Sequence, residues 1–155
     1  MAFLAWLSES PLGEWVSGST WVYPGLLFVH TLGLGILVGL NSALGLRLLG
    51  VAPQVPVADL EPLFPYMWAG FWLNAVSGSV LFVADAPKKA ANPSFIVKLV
   101  LIAVAVVVMR ALRREAFAGS AGVTARARTL AAASLLLWAG AITAGRLMAY
   151  TTALK

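Results

Sequence analysis

Cysteine is absent from this chain, histidine occurs once, and charged side chains make up only 11% of its 155 residues. Without cysteine there is no disulfide, no thiolate metal site and no thiol chemistry. A single histidine excludes the clustered imidazoles of most protein-only metal centres. A soluble domain carries roughly 25% charged residues, so a chain this poor in charge has too little polar surface to face water. Hydrophobic residues, at 61%, take up the difference.

They are not scattered. Four apolar runs, Thr20–Leu49, Leu63–Ala84, Ser94–Met109 and Leu130–Tyr150, fill most of the chain, and charge gathers at the joints between them. Crossing the hydrocarbon core takes about 20 mostly apolar residues, which each run approaches or exceeds with its flanks. Lipid offers no partner to a free backbone N–H or C=O, so the runs must be helical. The pattern predicts an all-α integral membrane four-helix bundle, with spans near 22–49, 63–84, 94–113 and 128–150. The joints leave no room for a second unit, and residues 1–155 read as one transmembrane domain.

The start, MAFLAWLSESPLGEWVSGST, lacks the basic region and long apolar core of a secretory signal. It reads as a short interfacial segment in which Phe3, Leu4, Trp6 and Leu7 lie among headgroups. Ser10 and Pro11 then open a second short turn carrying Trp15, and Trp21 and Tyr23 belt the first span.

Orientation follows from arginine. The joint between the third and fourth runs holds Arg110, Arg113, Arg114, Arg126 and Arg128 against Glu115, so that joint is expected inside and both termini outside. The expected location is a bacterial inner membrane. Lys88, Lys89 and Lys155 oppose this assignment. The net charge of +5 sits at helix ends rather than along a stripe, which excludes nucleic acid as a partner.

The joints carry expectations of their own. Pro53, Pro56 and Pro62 forbid a continuous helix after the first span, and Asp59 and Glu61 are candidate partners for Arg47. Small residues recur at packing intervals: Gly35 with Gly39, Asn74 with Gly78, Gly140 with Ala144, and Ala141 with Gly145. Such pairs let helix backbones approach where lipid does not press them together. No internal repeat supports an inverted-repeat transporter.

Ionisable groups within the membrane are costly and point to function first. His30 lies about 9 Å beyond Pro24 along the first helix, with Gly33, Leu37 and Asn41 continuing its face. Asn74, on the antiparallel second helix, sits at a similar depth, so the two are expected to meet. Asp85, Lys98 and Arg146 share the same end of the bundle. Either the two cations snorkel to the interface, or Asp85 pairs with one while the other faces an anion such as a haem carboxylate or a quinone headgroup.

The stretch Trp21-Val22-Tyr23-Pro24 to Val29-His30, with the glycine-rich Thr31–Gly39 after it, resembles the first helix of small bacterial membrane proteins. These are the copper-resistance D-type family, the four-helix haem-binding protoporphyrinogen oxidases, and a family of uncharacterised four-helix proteins. Phe95-Ile96-Val97-Lys98-Leu99 is similar to their lysine-leucine helix start. The resemblance covers about a third of the chain and implies His30 as an axial haem ligand and Lys98 as a pocket residue. Haem-binding relatives are expected to carry further histidines, which this chain lacks. Met67 and Met109 lie near the opposite membrane face, away from His30.

Two functions stand side by side. One is a non-catalytic subunit anchoring a larger membrane complex of redox type, or a homodimer, with His30 hydrogen-bonded in packing. The other is a b-type haem protein with His30 on iron and Gly33, Asn41, Asn74, Lys98 and Arg146 around the cofactor. Transport of a metal or small solute ranks behind both, since the methionine, histidine or cysteine clusters of a copper path are missing. No serine–histidine–acid set can be assembled, so the chain is not expected to be an enzyme on its own.

Overall fold

A computed structural model describes residues 2–118 and 122–153; Lys155, one of the cations that oppose the expected orientation, lies outside them. Every regular element among the described residues is a helix, and four of the helices are long and apolar enough to cross a membrane. It is a multi-pass membrane protein.

Two short helices come first, α1 (Ala2–Ser8) and α2 (Pro11–Gly18). Ser10 caps α2 by accepting from the Gly13 N–H at 3.2 Å, and Pro11 sits where its missing N–H costs nothing. A side chain at Gly13 would run into the Ser8 carbonyl, so glycine permits the tight passage from α1 into α2. Phe3, Trp6 and Trp15 are exposed, as interfacial anchors should be.

The first span is α3 (Val22–Leu48), 27 residues and about 40 Å long. Gly50, at φ +105°, turns the chain out of it into a loop. A 3₁₀ segment, Val57–Leu63, leads into α4 (Phe64–Val83). Then α5 (Ala86–Ala90) forms a short bridge to α6 (Pro93–Ala116), which Asn92 caps by accepting from the Ser94 N–H at 3.0 Å. The last span is α7 (Ala125–Ala153).

The bundle consists of two antiparallel pairs, α3 with α4 and α6 with α7, joined along α3 and α7. The α4 and α6 backbones hardly approach each other. Long side chains bridge them instead, with Phe82 stacked on Phe95 at one end and Arg110 over Trp68 at the other. Of the short helices, α1 rests on α5, and α2 rests on α3 and α4.

Less than a third of each span is buried within the chain, while Trp72, Val76, Val107 and Leu136 are each more than 60% exposed. Those faces suit hydrocarbon and not water. The interior is uneven along the membrane normal. Leu37, Leu44, Leu48, Phe64, Met67, Ala105, Met109, Leu112, Ala131 and Trp138 form a close-packed cluster from mid-membrane to the arginine end. Toward the histidine end the buried residues are mostly smaller: Ser77, Ala86, Ala141 and Ala144, with Leu81.

Several expected contacts fall elsewhere. Gly35 and Gly39 meet nothing within 4 Å of where a side chain would begin, so that pair packs no helix in this chain. The close approach uses Gly33 and Gly70, whose added Cβ atoms would lie 2.8–2.9 Å from backbone atoms of the facing helix. Arg47 pairs with neither Asp59 nor Glu61: its guanidinium donates to the carbonyls of Val55 and Pro53. Those loop carbonyls have no helix partner and take the nearest strong donor. Glu61 reaches Arg113 on α6 instead, at 3.6 Å.

Candidate functional site

The site begins with the antiparallel register of α3 and α4. Gly33 against Gly70 draws the two backbones together, and one turn toward the histidine end this places His30 opposite Asn74 and Ser77. The side chains are exchanged across the seam. His30 Nδ1 lies 2.9 Å from the Asn74 carbonyl, and Asn74 Nδ2 donates to the His30 carbonyl at 2.8 Å.

That geometry fixes the ring. A carbonyl oxygen can only accept, so Nδ1 carries the hydrogen, and in the neutral imidazole Nε2 holds the free lone pair. Ser77 Oγ, 3.1 Å from Nδ1, donates its own hydrogen to the Leu73 carbonyl at 2.6 Å and presents a lone pair to the ring. Gly78 forms the seat beneath: a Cβ there would sit 2.8 Å from His30 Cε1. Sequence reasoning singled out Gly78 for helix packing and missed Ser77 altogether. Its signal is the spacing Asn74–Ser77–Gly78, one face of one turn.

Lys98 comes from α6. Its aliphatic stem rests near Gly145 of α7, within 3.5–3.6 Å of where a side chain there would begin. The ammonium has no acidic partner among the described residues, and Lys98 and Lys89 are the cations close enough to act electrostatically on His30. Asp85 was expected to pair with Lys98 or Arg146; it sits 3.8 Å from Lys88, its neighbour on the next helical turn. Arg146 is exposed. Lys89, in α5 and outside the spans, donates to the Leu81 carbonyl and lies 5.9 Å from the centre of the Tyr23 ring. Burial holds its pKa below the ordinary 10.5, Asp85 opposes that shift, and Lys98 adds to it.

Gly33 and Asn41 belong to other contacts. Gly33 is the point of closest helix approach rather than part of an open pocket. Asn41 is fully buried about 16 Å further along α3, where it accepts from Ser134 of α7 at 3.0 Å. Its Nδ2 and the Trp138 Nε1 are buried without a partner among the described residues.

The arrangement therefore offers one imidazole nitrogen of fixed tautomer, one half-buried cation and a glycine beside each of them. No cluster of three or more metal-binding side chains occurs among the described residues. The chain matches no protein-family model, no curated protein and no solved structure.

Proposed function

We propose that this protein is a small membrane-embedded cofactor holder, with His30 supplying an axial nitrogen to a b-type haem at the histidine end of the bundle. The observation that carries this reading is the hydrogen bond from His30 Nδ1 to the Asn74 carbonyl. Metal-bound histidines commonly donate their second N–H to a carbonyl or carboxylate, which orients the ring and raises the basicity of the other nitrogen. Lys98, with no carboxylate partner among the described residues, suits a haem propionate. Gly78 and Gly145 keep the walls flat beside both groups. Met67 and Met109 are buried in the core cluster of the opposite half, so neither would reach a haem held by His30.

The arginine-rich joint between α6 and α7 supports an orientation with that joint inside and the termini outside, as in a bacterial inner membrane. Electron transfer at the outer face, within a larger redox complex, is the use this geometry suits. The absorption spectrum of wild type purified from haem-sufficient cells, beside His30→Ala, tests the reading. A Soret band in the wild type that vanishes in the variant supports it; its absence from the wild type overturns it.

A second reading is favoured by the reciprocity of the His30–Asn74 bonds. They tie His30 Nδ1 and Asn74 Nδ2 across the seam without any ligand and make the histidine a helix lock in a non-catalytic membrane subunit. Gentle-detergent purification separates the two: this reading requires co-migrating membrane partners and an absorption spectrum without haem.

A further inference from the structure

At the opposite end of the bundle, α4 begins and α6 ends around a cavity of about 390 Å³. Small-ligand pockets run from roughly 300 to 1,000 Å³, so this one admits a headgroup. Its floor is apolar, made by Phe64, Met109 and Phe117; its rim carries Arg110, Arg113 and Arg114 against Glu61. Among the described residues an acid pairs with only one of the three, Arg113, through Glu61 at 3.6 Å. The other acid nearby, Glu115, is engaged by Arg126 at 3.7 Å and by Thr124 at 2.9 Å. Three guanidiniums therefore face one carboxylate.

The rings beneath set the arginines in place. Arg110 lies 5.0 Å from the centre of the Trp68 ring, and Arg113 lies 5.2 Å from that of Phe64. A guanidinium laid on an aromatic face keeps its N–H fork free in the ring plane for a bidentate acceptor. Depth matters as well. Counted from Pro93, Arg110 and Arg114 stand about 26 and 32 Å along α6, the far boundary of a hydrocarbon core about 30 Å thick. The cavity thus combines phosphate-binding groups at headgroup level with an apolar floor below them.

We propose that this cavity is a binding site for an anionic phospholipid. The lipid phosphate bridges Arg110 and Arg114, and its acyl chains run along the seam where the α4 and α6 backbones stay apart. Basic pockets between transmembrane helices bind acidic headgroups in this way. The bound lipid reinforces an α4–α6 contact that the chain itself makes through side chains rather than close backbone approach.

The test uses purified full-length protein in a neutral detergent, with thermal unfolding and native mass spectrometry as readouts. The probes are dioleoylphosphatidylglycerol, dioleoylphosphatidylcholine and inorganic phosphate. Phosphatidylglycerol should raise Tm and remain on the protein at about one to one; the other two should do neither. The double variant Arg110→Gln with Arg114→Gln removes exposed groups and leaves the Arg113–Glu61 pair intact. It should weaken phosphatidylglycerol binding on the order of thirtyfold, from about tenfold or less per arginine. A single-charge control, Arg128→Gln, lies near the same end outside the cavity, keeps the Arg126–Glu115 pair, and should bind as the wild type does, whereas Arg114→Gln alone should already weaken binding. Equal stabilisation by phosphatidylcholine, saturation by inorganic phosphate, or equal losses in Arg114→Gln and Arg128→Gln would each overturn the proposal. Should the double variant fold poorly, that single-variant comparison decides it.

Discussion

His30 and Asn74 hold each other twice, each side chain bonded to the other's backbone carbonyl, at 2.9 and 2.8 Å. The two bonds are not equivalent under mutation. The histidine's acceptor is a main-chain oxygen that any residue at position 74 retains, whereas the amide's donor is lost when the side chain is shortened.

Asn74→Ala should therefore cost about 0.6–1.7 kcal/mol, the range for single polar contacts between membrane helices. It should still leave His30 oriented. Unfolding in mixed micelles measures the first part. On the proposed haem reading, the second is read from the Soret band, which should persist in Asn74→Ala and be lost in His30→Ala.

Glycine positions along α3 should differ sharply in tolerance. Gly33→Ala places a methyl group against the Asn74 N–H and the Gly70 carbonyl, neither of which is a flexible chain end, and should destabilise by about 1–3 kcal/mol. Gly35→Ala and Gly39→Ala meet open space and should stay within about 0.5 kcal/mol. Equal costs across the three, by micelle unfolding, would contradict the register described.

Gly78→Ala should act on the ring rather than on the fold. The new methyl presses on His30 Cε1, and the imidazole must turn away from the Asn74 carbonyl to accommodate it. On the proposed haem reading, the expected result is a shifted or weakened Soret band with a stability loss no greater than that of one interhelical hydrogen bond, about 0.6–1.7 kcal/mol. A large loss of Tm with an unchanged spectrum would count against it.

Lys89 should make stability depend on pH in the alkaline range. Burial holds its folded-state pKa below 10.5, so the folded chain binds this proton less tightly than the unfolded chain does. Unfolding takes up a proton in the window between the folded value and 10.5, and stability must rise with pH through that window. At lower pH both states carry the charge and the burial penalty is felt in full. Relative to wild type, Lys89→Gln should show a flatter rise of Tm as pH approaches 10.5 from below, measured in parallel scans.

The sequence made the histidine–asparagine contact legible because both residues are costly in lipid and sit at matching depth on antiparallel helices. Lone polar groups in hydrocarbon leave few partners to choose from. The Gly35–Gly39 spacing misled for a complementary reason. It reports that one helix face is smooth, which says nothing about whether another helix lies against it. Gly33 and Gly70, each without a glycine four residues away, carry the contact. Arg47 and Glu61 were joined by charge alone, yet unsatisfied loop carbonyls claimed the arginine while Arg113, across from α6, claimed the glutamate. Asn41 shares a helical face with His30 but turns its amide to α7, because the two ends of a 27-residue helix face different neighbours.

The close-packed cluster of leucine, methionine and aromatic side chains stops near mid-membrane, and this divides the molecule mechanically. The filled half behaves as a fixed base, while the other is held by two reciprocal bonds and small side chains with little volume to dislodge. Thermal opening should start at that lighter end and leave the base standing.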